Sequence, residues 1–345
     1  MDFSNLHINK FGGIILTIFL LFMLFPAVSQ ENYMLVEAKE GDGIYTLLRR
    51  HGLQPGQYLH EFISLNKSAL GTNHALFSGR MYKLPIQAES DPGPSISANA
   101  VVHSYPIFGE KYKEVAISSD ELSGAVYYLV AGHGGPDPGA MGRYGNHTLC
   151  EDEYAYDVTL RLARNLIEKG ASVYMIIRDP DEGIRDEQFL KPDKDEICYP
   201  NLSIPLNHVA RLRQRKDAVN NLYLKNKNKF QRVIVVHVDS RSRGENIDVF
   251  FYHDRRSNTG HKAATILQRT FDKKYRENQP GRGYHGTVSC RGLYMVRNTY
   301  PVAVYIELGN INHARDQRRF IVTDNRQALA NWMTLGLVED FQTNK

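Results

Sequence analysis

The chain has 345 residues, 42% hydrophobic and 23% charged, with a formal net charge of +4. That length holds a large domain and a smaller one, and the balance excludes wholesale disorder. The mild positive charge suits loose attraction to an anionic polymer, but no nucleic-acid-binding motif occurs in its expected context. Arginines cluster at Arg211, Arg213 and Arg215 and again at Arg241, Arg243, Arg255 and Arg256. As charge runs they are expected to lie mostly on solvated surface. Three cysteines, Cys150, Cys198 and Cys290, permit at most one internal disulfide, and none has the C-x-x-C spacing of a cysteine zinc site.

At the N-terminus, Lys10 precedes an apolar run of 14 residues, Gly12–Phe25, followed by Pro26-Ala-Val-Ser29. A spanning helix needs about 20 apolar residues, so residues 1–29 are expected to be an export signal cleaved after Ser29. No later segment is apolar enough to span a membrane, and the mature chain is expected in the periplasm or cell envelope.

Residues 30–86 form a short module. It reads as a strand (Tyr33–Ala38), an acidic glycine turn (Glu40-Gly-Asp-Gly43), a helix (Ile44–His51), a second helix (Tyr58–Asn66) and a strand ending in Lys83-Leu84-Pro85. Gly41-Asp42, Leu65-Asn66, Gly79 and Leu84-Pro85 give it a pattern that resembles a LysM domain, and this resemblance implies a small α+β peptidoglycan-binding fold. The Pro, Gly and Ser of residues 87–102 mark a linker, which with lead-in strands runs to 124.

From 125 to 345, strand and helix signals alternate. Strands are predicted at Val126–Val130, Ser172–Ile177, Arg232–Val238, Asp248–Tyr252 and Val302–Ile306, and helices near Glu151–Lys169, Leu206–Lys225, Asn258–Arg276 and Arg326–Phe341. Near-continuous Val/Ile runs such as Val233–Val236 mark strands covered on both faces. The pattern predicts an α/β three-layer sandwich with a mostly parallel central sheet flanked by helices. The stretch Asp179–Pro205 has four prolines, many charges and no period, as lids and binding loops often do.

Candidate ligands fall where strands end. His133 follows Val126–Val130 through Ala131-Gly132, His237 is near the end of Arg232–Val238, and Glu307 directly follows Val302–Ile306. The carboxyl ends of parallel strands share one edge, where ligands bind. Burying such groups unpaired costs roughly 2–7 kcal/mol even for a neutral polar group. Two histidines and a carboxylate with an open position are the usual catalytic zinc set. Glu151 could complete it, because it extends the apolar stripe Ala155, Val158, Leu162 and Leu166. Thr148-Leu-Cys-Glu151 is equally a capping-box pattern, so spacing alone leaves its role open, with Asp152 and Glu153 adjacent.

Several segments together resemble the zinc-dependent N-acetylmuramoyl-L-alanine amidases of type 3. They are Gly132-His-Gly-Gly-Pro-Asp-Pro-Gly-Ala140, Glu151 with Leu160-Arg-Leu-Ala163, Arg178-Asp179, Arg215 with Val219-Asn220, Val235-Val-His-Val-Asp-Ser240, Arg291-Gly-Leu-Tyr-Met-Val-Arg297, and Pro301-Val-Ala-Val-Tyr-Ile-Glu-Leu-Gly309. The resemblance covers roughly residues 125–340. It implies one Zn2+ on His133, Glu151 and His237, a catalytic carboxylate at Glu307 and a substrate contact at Arg297. The substrate it implies is the amide between N-acetylmuramic acid and L-alanine in peptidoglycan.

The chain departs from that family in the length of Asp179–Pro205, in Ile234-Val-Val-His-Val238, and in having no room between His237 and Glu307 for the long inhibitory helical insert of some members. No motif names an activating partner. Gly281-Arg-Gly-Tyr-His-Gly286 follows no strand and is discounted as a dinucleotide site. His253, His261, His285 and His313 are expected on the surface or in loops. Two other readings stay open: a zinc peptidase acting within stem peptides, and a non-catalytic peptidoglycan-binding protein.

Overall fold

The computed structural model describes residues 33–39, 42–53, 55–71, 74–86, 102–240, 246–279 and 281–345. The predicted signal (1–29), most of the predicted linker, and Arg241 and Arg243 lie outside the described residues. Among the described residues no helix is long and apolar enough to cross a membrane, and all three cysteines are free.

The N-terminal module runs β1 (Tyr33–Glu37), α1 (Ile44–Arg50), α2 (Pro55–Leu65), β2 (Met81–Pro85), with β1 and β2 antiparallel. It has its own core, in which Leu47, Leu48, Phe62, Tyr82 and Leu84 are fully buried. Asn66 closes it. Its side-chain amide donates to the carbonyls of Phe62 (2.8 Å) and Lys83 (2.7 Å), and its Oδ1 accepts from the Lys83 amide (2.7 Å). One buried amide thus satisfies the end of α2 and the edge of β2 together.

The larger core follows. A hairpin of β3 (Val102–Ser104) and β4 (Glu114–Ala116) leads into β5 (Ala125–Ala131), and a second hairpin, β6 (Met141–Tyr144) with β7 (His147–Cys150), precedes α3 (Glu151–Glu168). Then come β8 (Ser172–Met175), short strands β9 (Ile177–Arg178), β10 (Ile197–Cys198) and β11 (Leu202–Ser203), and α4 (His208–Lys225). The chain continues through β12 (Phe230–Asp239), β13 (Phe250–His253), α5 (Asn258–Asn278), β14 (Val288–Cys290), α6 (Tyr294–Asn298), β15 (Val302–Asn310), α7 (Ala314–Ile321) and α8 (Thr323–Asn344).

The central sheet has the order β14-β13-β15-β12-β5-β8. It is parallel throughout except where β13 meets β15. Every residue of β5 is buried, as expected for a strand covered on both faces. Helices α3, α5 and α8 pack together on one face. Right-handed crossovers put α4, which follows the step back from β8 to β12, on the other face, where it packs against α6.

Three predicted boundaries move for local reasons. The strand expected over Ser172–Ile177 stops at Met175, because Ile177 and Arg178 leave the sheet to pair with β10. The strand expected from Asp248 starts at Phe250. Asp248 has φ 54° and its carboxylate gathers Arg282, Arg319 and the His285 amide (2.8 Å), which an extended strand residue could not do. Helix α4 starts at His208, since Asn207 caps it by accepting from the Ala210 amide (2.9 Å).

The aperiodic stretch Asp179–Pro205 is firmly anchored. Asp157 of α3 is fully buried; its Oδ2 accepts from Arg161 Nε (2.8 Å) and Arg326 Nε (2.6 Å), and its Oδ1 from the Arg185 amide (2.8 Å). The same two guanidinium groups donate to the Arg185 carbonyl at 2.6 and 2.9 Å. Asp157→Ala would leave two buried cations without their carboxylate. Removing one partner of a buried pair costs about 3–5 kcal/mol, so urea unfolding of this variant should show a loss of that size.

Candidate metal centre

Four predicted residues converge on the edge formed by the carboxyl ends of β5, β12 and β15. His237 of β12 and Glu307 of β15 are direct partners in the parallel ladder. The chain leaves β5 through Gly132, whose amide donates to the Val236 carbonyl (2.8 Å). His133 then takes φ 60°, a left-handed conformation that costs a non-glycine residue about 1–2 kcal/mol. Such strain persists where surrounding contacts fix it.

Glu151 is the hub. Its Oε1 lies 2.7 Å from His237 Nδ1 and accepts the Val238 amide (3.0 Å). Its Oε2 lies 3.3 Å from His133 Nε2 and accepts the Ala140 amide (2.8 Å). The helix N-cap is Cys150, with no side-chain cap bond. Glu151 is therefore the first residue of α3 and not the third, which removes the capping-box alternative. One donor atom from each of His133, Glu151 and His237 lies within 4.8 Å of the others.

Two glycines make the space. A Cβ on Gly132 would come within 2.5 Å of the His237 imidazole, and one on Gly139 within 2.7 Å of both the His133 ring and Glu151 Oε2. The two imidazoles stand 5.0 Å apart at 77°, and His237 stacks on Tyr305 at 4.5 Å.

The electrostatics suit a cation. Burial alone would lift the Glu151 carboxyl's pKa, yet its bonds to both histidines hold it well below the usual carboxylate range. Burial would likewise lower His133, but Asp137 and Glu151 raise it to about 9. Burial lowers His237 despite Glu151. Without a metal, the site therefore keeps its carboxylate ionised and offsets it with a proton on imidazole. A metal ion displaces such a proton on binding.

Glu307 differs. Burial, then the charges of Glu151 and Asp239, push its carboxyl well above the ordinary value, against a bond to Tyr305. Among the described residues its Oε2, which is buried, has no hydrogen-bond partner, an exception among buried polar atoms that calls for a ligand or a proton-transfer role.

The structure adds residues that sequence reasoning missed. Asp137 Oδ2 lies 2.9 Å from His133 Nδ1, leaving Nε2 to face Glu151. Arg211 donates to the same Asp137 oxygen at 2.6 Å, and Arg215 donates to the His133 carbonyl. These two arginines are 8% and 5% exposed, so the expectation of solvated surface fails for them. They share the inward face of α4 with Ala218, Val219 and Leu222, an i, i+4 relation readable in the sequence once their charge is set aside. His253 is buried as well.

Arg297 is exposed on α6. Its carbonyl accepts from Arg256 (3.3 Å), and its charge, after the Arg256 hydrogen bond, helps hold Asp254 down to about 2. Among the described residues, no hydrogen bond or ion pair joins Arg297 to the other four.

Residues 128–339 match the family model described as N-acetylmuramoyl-L-alanine amidase. The chain belongs to this family. It is accordingly an amide hydrolase of peptidoglycan. Among solved structures it is similar to the CwlD amidase of Clostridioides difficile in complex with the GerS lipoprotein, at 17% identity and TM-score 0.48, over 64% of this chain and 99% of that one. The catalytic domain of CwlV from Bacillus (Paenibacillus) polymyxa var. colistinus gives 20% identity and TM-score 0.46, over 64% and 99%. Ami1 of Mycobacterium smegmatis gives 12% and 0.47, over 65% and 99%. No curated protein matches the sequence.

Two substitutions test the centre. Gly132→Ala drives a methyl into the His237 ring; we expect at least about 100-fold loss of amide hydrolysis, since displacements near 1 Å cost that much, with an unchanged far-UV circular dichroism spectrum. Asp137→Ala removes the acceptor that orients His133 and should weaken metal affinity about 10–100-fold in a competition titration.

Proposed function

We propose that the chain is a zinc-dependent, exported amidase that cuts the bond between the lactyl group of N-acetylmuramic acid and L-alanine of the stem peptide. His133, Glu151 and His237 hold one Zn2+, and Glu307 is the catalytic carboxylate. The observation that carries this reading is the His/Glu/His donor set beside a buried, unpartnered Glu307 oxygen at the strand ends.

When bound, Zn2+ supplies Lewis-acid polarisation of the scissile carbonyl and lowers the pKa of water from 15.7 toward about 7. Glu307 takes a proton from the attacking water and passes it to the leaving amine, acting as base and then acid. Glu307 must be ionised to take that proton, and the positive charge of a bound cation would offset the burial and the Glu151 charge that push its carboxyl up. Glu151 spends both oxygens on the centre and two backbone amides. Asp137 fixes the tautomer and aim of His133, while Arg211 and Arg215 clamp the loop that carries both. Arg297 is a candidate substrate contact at the exposed side of α6.

The module at residues 30–86, with its separate core, is proposed as a LysM-like peptidoglycan tether, residues 87–124 as the linker and lead-in, and 125–345 as the catalytic domain. The predicted signal at 1–29 would deliver the chain to a substrate that lies outside the cytoplasm.

Digestion of purified sacculi followed by mass spectrometry tests the bond cut. We expect intact stem peptides with a free L-alanine amine, loss of release on chelation, and recovery with added zinc; cleaved stems would favour the peptidase reading. Glu307→Ala should lower turnover by about 100-fold or more with one zinc still bound, and full turnover in that variant would remove Glu307 from the chemistry.

A further inference from the structure

Three further carboxylates lie buried beside the centre and take no part in it. Asp152 and Glu153 are the second and third residues of α3, and Glu196 directly precedes β10 in the Asp179–Pro205 segment. They are 2%, 2% and 5% exposed. Each offers an oxygen within 4.8 Å of the others.

Most of their oxygens are occupied. Asp152 Oδ1 accepts from the Glu153 amide (2.9 Å), Glu153 Oε1 from the Asp193 amide (3.0 Å), Glu153 Oε2 from Arg185 Nη1 (2.8 Å), and Glu196 Oε2 from the Gly135 amide (2.6 Å). Asp152 Oδ2 is buried and has no hydrogen-bond partner among the described residues. The trio brings three formal negative charges. Arg185 returns one positive charge, shared with Glu182. Among the described residues no ion pair reaches Asp152 or Glu196, and a buried charge without compensation is strongly unfavourable, so a cation is what the trio lacks.

We propose that Asp152, Glu153 and Glu196 hold a hard divalent cation of the Ca2+ type, separate from the His133 centre. The donors are all oxygen, which selects hard cations over zinc, and Ca2+ accepts irregular sets of carboxylates that the octahedral Mg2+ does not. The ion fastens the Asp179–Pro205 segment to the start of α3. Because Glu196 also binds the Gly135 amide, it steadies the loop on which His133 stands. A second acidic group, Asp179, Asp181, Asp193 and Asp195, is more exposed, and no buried oxygen of it lacks a partner.

The test is thermal unfolding and calorimetric titration of the full chain with Ca2+, with Mg2+ as control. At about 5 mM Ca2+ the apparent Tm should rise by about 5 °C, and more than with Mg2+. Asp152→Asn and, separately, Glu196→Gln should remove most of that rise and weaken Ca2+ binding at least about tenfold. In Ca2+-free buffer both variants should be no less stable than the parent, because each removes a repelling charge. His133→Ala should keep the response. The proposal is overturned if Ca2+ produces no rise, which would leave protons to neutralise the trio, or if the rise survives both variants. It is also overturned if His133→Ala abolishes the rise, or if Asp181→Asn removes it while Asp152→Asn does not, which would place the ion in the outer aspartate group.

Discussion

The catalytic edge depends on one carboxylate. Glu151 touches both histidines and takes two backbone amides, one from the end of β12 and one from the Gly132–Ala140 loop. It therefore ties two chain segments, the end of β12 and the Gly132–Ala140 loop, to the first turn of α3. A carboxylate there also sits at the positive end of the helix dipole, so the helix favours its ionised form before any metal arrives. The strained backbone of His133 and the glycines on either side are the local cost of bringing two imidazoles to that one group.

Sheet topology fixes what faces it. His237 and Glu307 are ladder partners on adjacent parallel strands, so their side chains leave the same face of the sheet. On the other side of β15, β13 runs antiparallel and sets Phe250 opposite Glu307. Glu307 thus stands between His237 and an aromatic strand, with one oxygen free of partners among the described residues. Burial and the nearby Glu151 charge both favour its protonated form, while Glu151, equally buried, is held ionised by its two histidines. Two neighbouring glutamates are driven in opposite directions by their partners, which suits the division proposed above between a group that holds a cation and one that carries a proton.

The sheet was legible because β5, β12 and β15 are runs of Val, Ile, Leu and Tyr covered on both faces, and their ends announce themselves through His133, His237 and Glu307. Glu151 was half legible: its spacing placed it on an inward helix face, but capping explained the same pattern, and only the observed N-cap at Cys150 separates the two. Asp137, Arg211 and Arg215 were not legible as site residues. The charge of the two arginines argued for solvent; their i, i+4 spacing places them on the inward face of α4, but their pairing with Asp137 and the His133 loop joins a helix to a distant loop, which no local period encodes. The same holds for Asp179–Pro205, whose order comes from Asp157, Arg161 and Arg326 reaching in from α3 and α8 and not from any pattern of its own.

That long segment is better understood as part of the site's wall than as a free lid. Its amide and carbonyl at Arg185 are held by a buried ion network, its Ile184 amide bonds the Phe108 carbonyl (3.1 Å) in the lead-in region, and its Glu196 reaches the Gly135 amide two residues from His133. A segment pinned from α3, α8 and the metal loop pays little further entropy to stay ordered when substrate binds. The segment therefore adds anchoring around the His133 loop, through Arg185 to Glu153 of α3 and through Glu196 to the Gly135 amide.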